Sequence, residues 1–161
     1  MEHISRKPTR LEEYDYSSPG AYFITVCTDR RRQILSQIVG GGVLDAPRVE
    51  LSVYGKIVER RISVMNGIYQ DVKVDKYVIM PNHIHLILRV TGGSSGTPTP
   101  TCSRVSSFIS TLKRMTSKEI GRNIWQRSFY DHVIRGDRDY LAHLEYVEQN
   151  PAKWAEDEYN E

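Results

Sequence analysis

Two histidines, His83 and His85, stand one residue apart in a run, His83–Val90 (HIHLILRV), that is apolar and mostly branched apart from them and Arg89. Such a run reads as a strand. Alternate side chains of a strand leave the same face, so both imidazoles project together, roughly 6–7 Å apart at the backbone. That spacing lets two rings converge on one metal ion while Ile84 turns to the opposite face. An ordinary strand with two half-exposed histidines has the same pattern, and a metal needs a further ligand from elsewhere. The last helix of the chain offers one. Tyr146 and Asn150 are four residues apart and share a helix face, with Cβ atoms about 5–6 Å apart. His143, three before Tyr146, shares that face. A tyrosine beside a metal could attack a phosphorus atom and keep the product as a covalent ester. A free phenol, with a pKa of about 10, needs a base or a positive neighbour to do this at neutral pH. A divalent cation would meet that need and stabilise the departing oxygen. The chain has ten tyrosines, and most helix tyrosines only pack. Tyr130 and Tyr140 are the rivals, and neither has an asparagine four residues later.

The elements that must position these groups can be read from periodicity. Residues 21–28 (AYFITVCT) are aromatic and β-branched and read as a strand. Residues 49–65 carry a helical stripe from Val49 to Met65, after a flexible break at Gly40-Gly41-Gly42. Residues 72–80 and 83–90 read as two strands joined by a corner at Pro81-Asn82. A Gly/Ser/Pro/Thr loop occupies 91–101. Residues 103–120 read as a helix with Val105, Phe108, Ile109, Leu112 and Met115 inward. A short strand is expected at 132–135. Asp137 is an apt N-cap for a last helix over 138–149, which Pro151 helps to stop. The order β-α-β-β-α-β-α predicts an α+β fold with a mostly antiparallel sheet covered by helices. At 161 residues one domain over 1–161 is expected, with 1–19 as an N-terminal arm.

Composition narrows the class. Hydrophobic residues make up 39% and charged residues 26%, as in soluble globular proteins. No leader is expected, because Met1 is followed by polar and basic residues, and no apolar run approaches the roughly 20 residues of a membrane span. Two cysteines, Cys27 and Cys102, are too few for a disulfide framework and suit a reducing cytoplasm. The net charge is only +2, but it is unevenly spread. Between 103 and 127 six basic residues, Arg104, Lys113, Arg114, Lys118, Arg122 and Arg127, face one acid, Glu119. Arg30-Arg31-Arg32 follows the first strand. Beyond Gly136 eight acids outweigh Arg138 and Lys153. Such asymmetry can make a phosphate-binding face, or simply solvated helix faces. Arg30, Arg31 and Arg32 could touch phosphates or guard a sheet edge. Trp125 and Phe129 could stack on unpaired bases, although packing in the core is the better reading.

Four segments carry a resemblance. Met80-Pro81-Asn82-His83-Ile84-His85 resembles the His-hydrophobic-His (HUH) motif of the single-tyrosine transposases of insertion sequences. Gly20-Ala21-Tyr22-Phe23-Ile24-Thr25 resembles their first strand. Residues 125–135 (WQRSFYDHVIR) resemble a segment of the REP-associated tyrosine transposases, and Glu145-Tyr146 with Asn150-Pro151 resembles their nucleophile helix. The matches run in order from about Gly20 to Lys153. The resemblance implies a ferredoxin-like HUH endonuclease fold and a divalent cation, Mg2+ or Mn2+, held by His83, His85 and a polar residue of the last helix. Asn150 stands where that ligand is expected, with Gln149 as the neighbouring alternative. It implies that Tyr146 becomes joined to a 5′-phosphate of single-stranded, hairpin-forming DNA, with strand transfer to follow; the uneven charge makes Arg30, Arg31, Arg32, Arg104, Lys113, Arg114, Lys118 and Arg127 the candidate DNA contacts. It assigns no role to His132 or His143. A monomer and a homodimer are both compatible with it. Two other readings remain: a replication-initiator or relaxase-type nickase, and a non-catalytic hairpin-DNA-binding or regulatory protein.

Overall fold

A computed structural model describes residues 20–91 and 104–160. The arm at 1–19 and most of the loop at 91–101 lie outside the described residues. The central sheet has four strands: β1 (Gly20–Cys27), β4 (Val72–Ile79), β5 (His83–Val90) and β6 (Tyr130–Ile134). Their order is β4-β5-β1-β6, every neighbouring pair antiparallel. Helix α1 (Val53–Ile68) links β1 to β4, and α2 (Arg104–Ile120) links β5 to β6. Two interleaved β-α-β units in this strand order are the ferredoxin-like α+β fold.

Alternation assigns the two faces of the sheet. Tyr22, Ile24 and Val26 of β1, with Ile84, Leu86, Leu88 and Val90 of β5, face α1 and α2 and form the main core with Val58, Ile62, Met65, Phe108 and Leu112. The opposite face carries Ala21, Phe23 and Ile87, packed against α3 (Gly136–Gln149) through Tyr140, Leu144 and Val147. His83 and His85 share the parity of Ile87, so they lie under α3. β5 is central and covered on both sides, so its histidines are buried, at 0% and 1% exposure. They are not the half-exposed pair of an ordinary strand.

Two expectations about elements need correction. Residues 49–51 do not begin a helix. They belong to β3 (Arg48–Leu51), paired with β2 (Ser36–Val39) in a separate two-stranded ribbon whose turn holds the triple glycine. Helix α1 starts after Ser52, whose hydroxyl oxygen accepts the Gly55 N–H at 3.1 Å. Gly55 is required there, because an added Cβ would collide with the Leu35 carbonyl oxygen. Asp137 is not the cap of α3 but sits in its first turn. The Arg135 N–H at the helix start donates to the Asp139 carboxylate at 2.8 Å. The last helix ends at Gln149, just before Pro151, and Pro151–Glu156 then forms a 3-10 helix.

Candidate functional site

The β1–β5 register sets Thr25 opposite His85 and Cys27 opposite His83. The imidazoles turn their Nε2 atoms toward each other, 3.0 Å apart, and each Nδ1 has its own partner. His83 Nδ1 lies 2.8 Å from Asn82 Oδ1. The Asn82 amide is oriented because its Nδ2 donates to the Tyr159 carbonyl. Its oxygen must therefore accept from His83 Nδ1–H, which leaves a lone pair on His83 Nε2. His85 Nδ1 lies 2.8 Å from the Thr25 hydroxyl, a group that serves as donor or acceptor. Holding the outer nitrogen of each ring in this way fixes the inner nitrogen's direction, the arrangement usual around metal-ligating histidines. Burial drives the His83 pKa down to about 3, opposed by the Asn150 amide. Burial and the neighbouring His83 and His143 hold His85 well below its ordinary range. Both rings are thus neutral near pH 7, the form that ligates metals.

Helix α3 supplies the rest. The Tyr146 ring lies 5.4 Å from the His85 ring and 5.8 Å from that of Phe23, and the residue is 40% exposed. Its phenol is held above the ordinary pKa, first by burial and then by Asp157 and Glu158, while the Asn150 amide pulls it down. Asn150, one turn later, is buried, and its Oδ1 has no hydrogen-bond partner among the described residues. A buried amide oxygen without a partner is costly, and this side chain lies close enough to His83 and Tyr146 to shift both of them. Gln149 turns elsewhere and donates to Glu145 at 2.7 Å. A cavity of about 430 Å3 opens at this place, lined by Phe23, Thr25, His85, His143, Tyr146 and Tyr159 among others. Of the rival tyrosines, Tyr140 donates its hydroxyl to Asp75 at 2.8 Å. Tyr130 lies opposite Thr25 in the register, at the rim of the same face.

The C-terminal segment completes the surroundings, a role that its acidic composition does not signal. The Tyr159 ring lies 4.6 Å from the His83 ring and Trp154 6.0 Å from it. Arg31 stands over Tyr159, its guanidinium 5.4 Å from the ring centre, and its charge depresses the His83 pKa further. Arg30 and Arg31 take left-handed backbone angles, φ 55° and 52°, a conformation that costs roughly 1–2 kcal/mol per residue. Arg30 and Arg32 are exposed.

The other basic residues are spread along α2 and the segment after it. Arg114, Lys118 and Arg127 are exposed. Lys113 donates to the carbonyls of Gln126 and Ser128 at 2.8 and 2.9 Å, and Arg104 donates to the Thr91 carbonyl at 2.9 Å. Trp125 and Phe129 are buried in the main core, and the indole N–H donates to Thr116 at 2.7 Å. Neither ring is presented for stacking on a base. No helix among the described residues is long and apolar enough to cross a membrane.

A ferredoxin-like sheet with a His-x-His pair on its central strand, under a helix that carries a tyrosine, is the architecture the motifs implied. No family model matches the sequence. An uncharacterized protein of Haemophilus influenzae is 28% identical over 171 residues, covering 95% of this chain and 92% of that protein. A REP-associated tyrosine transposase of Escherichia coli is 30% identical over 82 residues, which is 50% of this chain and 45% of the transposase. The solved structure of a REP-associated tyrosine transposase bound to a REP hairpin superposes with a TM-score of 0.62. It covers 96% of this chain and 74% of that one at 24% identity. The chain is thus similar in sequence to the REP-associated tyrosine transposases over half its length and shares their fold over nearly all of it.

Proposed function

We propose that the chain is a divalent-cation-dependent endonuclease and strand-transferase of single-stranded, hairpin-forming DNA, with Tyr146 as its nucleophile. The observation that carries this reading is the donor set beside Tyr146: two neutral imidazoles with converging Nε2 atoms and the unpartnered, buried Asn150 Oδ1. Two nitrogens and one neutral oxygen would hold a divalent cation that keeps other positions open for phosphate oxygens, and of the two cations the resemblance implies they suit Mn2+ better than Mg2+, which prefers an all-oxygen shell. When bound, the cation supplies positive charge that offsets charge on the phosphoryl oxygens and the leaving 3′-oxygen and favours the phenolate.

The chain's own residues do the rest. Asn82 and Thr25 hold the imidazoles, and the Phe23 and His85 rings hold the Tyr146 ring edge-on. Tyr146 Oη gives up its proton and bonds to the phosphorus, the P–O3′ bond breaks, and the 3′-oxygen takes up a proton. The products are a 5′-phosphotyrosine and a free 3′-hydroxyl. Arg114, Lys118 and Arg127, exposed along one stretch, are suited to track the backbone, with affinity that falls as salt rises. The transposase of similar fold is bound to a REP hairpin, and a hairpin is the DNA proposed here. The test is covalent capture. Incubated with hairpin-bearing single-stranded DNA and Mn2+, the protein should yield an adduct that survives denaturation, and Tyr146→Phe should bind the same DNA but yield none. An adduct of normal yield from Tyr146→Phe would transfer the role to Tyr130 or Tyr140.

A further inference from the structure

We propose that His132, Asp139 and His143 form a second metal site, which takes a borderline transition-metal ion such as Zn2+ and fastens the helix bearing Tyr146 to the edge of the sheet. The proposal is independent of the strand-cutting reading. His132 stands on β6 opposite Phe23, so its ring leaves the sheet on the α3 side. Asp139 and His143 are four apart on α3 and share a face of that helix. His132 Nε2 lies 3.0 Å from Asp139 Oδ2, and His143 Nδ1 lies 3.1 Å from Oδ1 and 2.9 Å from the Asp139 carbonyl oxygen, a contact that a bound ion would replace. The imidazoles stack with centroids 4.6 Å apart and planes at 21°, and one donor atom from each of the three residues fits within 4.8 Å of the others.

Donors bound tetrahedrally to zinc at about 2.0–2.2 Å stand roughly 3.3 Å from one another. Each nitrogen is already near that distance from one oxygen of the carboxylate, and the three donors, now within 4.8 Å of one another, would close further on a bound ion. The carboxylate is already oriented, since its Oδ2 also accepts the Arg135 N–H. Two imidazole nitrogens with one carboxylate oxygen select Zn2+, Ni2+ or Fe2+ over Mg2+ and Ca2+, which demand oxygen. The side chains of His132, Asp139 and His143 are 51%, 27% and 22% exposed, so water can reach the site and fill a remaining position. Phe23 separates it from the first site: its ring lies 4.8 Å from that of His143 and 5.0 Å from that of His85. Joining β6 to α3 three residues before Tyr146 would limit the swing of the nucleophile helix.

Titration calorimetry of the intact protein with Zn2+ tests this, compared with His132→Ala/His143→Ala, whose changes fall on partly exposed side chains. The wild type should bind one more equivalent of Zn2+ than the variant. A His83→Gln/His85→Gln protein should retain that equivalent and show a Zn2+-dependent rise in Tm. Millimolar Mg2+ should not displace it. Equal stoichiometry and affinity in wild type and His132→Ala/His143→Ala would overturn the proposal, and displacement of Zn2+ by Mg2+ would overturn its choice of metal. If the His83→Gln/His85→Gln protein fails to fold, the first comparison decides alone.

Discussion

Acidification should weaken this protein through the buried histidines, by an amount that follows from the site. An unfolded chain protonates His83 as pH falls through its ordinary 6.5, whereas the folded chain stays neutral until about 3. Between those values the unfolded state holds more protons, so stability falls with pH, and the loss stops growing below about 3. The slope is about 1.4 kcal/mol per pH unit. Going from pH 7.5 to pH 5 therefore costs about 2 kcal/mol through His83, with a further loss in the same direction from His85. For a chain of this size 1 kcal/mol moves Tm by roughly 2–4 °C, so His83 alone should account for about 4–8 °C. The assay is thermal and urea denaturation at both pH values, in the presence of a chelator, for the wild type and His83→Gln. Other titrating groups are common to both proteins, so the variant should lose about 2 kcal/mol less on acidification. If both lose the same stability, His83 is not held neutral by burial and the description of the site as two converging neutral imidazoles is wrong.

Asn150→Ala should slow adduct formation, with partial recovery at high Mn2+, while Asn150→Leu should change unfolding free energy by no more than about 1 kcal/mol, because the lost oxygen makes no hydrogen bond; denaturant melts and metal titrations read the two effects. Gly55→Ala should cost about 2 kcal/mol or more, since the new Cβ meets the Leu35 carbonyl and the first turn of α1 must move; a urea midpoint measures it. Trp125→Ala should cost about 3–5 kcal/mol as a core deletion, and DNA affinity measured on the folded fraction should not fall, the opposite of what a stacking platform predicts.

The central strands were legible because burial on two faces leaves an unmistakable pattern: β5 is apolar throughout except at His83, His85 and Arg89. The β2–β3 ribbon was not, since Val49 and Leu51, two apart in a strand, continue without a break into the helical stripe of α1. Ser52 was the available signal, a serine three residues before a glycine N–H. Asp137 misled because an N-cap and a first-turn acid look alike in sequence. At the site, the shared parity of His83 and His85 and the helical phase of Tyr146 and Asn150 could be read directly. Their partners could not. Thr25 is 60 positions from His85, and only the strand register joins them. Asn82 was read as a corner residue, yet its side chain orients His83. Tyr159 lies in an acidic tail whose composition gives no hint that it packs over an imidazole.

Those separations in sequence also bear on how the molecule assembles. The β4–β5 hairpin and the α1 turn that precedes it join residues close in the chain, and such contacts form early. The hydrogen bond from Thr25 to His85 closes a loop of 60 positions, and the one from Asn82 to Tyr159 a loop of 77. Their closure entropy must be met before they reward the fold. A chain that has formed its hairpin but not yet docked β1 and the C-terminal segment therefore carries both histidines side by side with their outer nitrogens unheld. In that interval the pair can take up protons that the finished protein, with both rings buried and held neutral, would refuse.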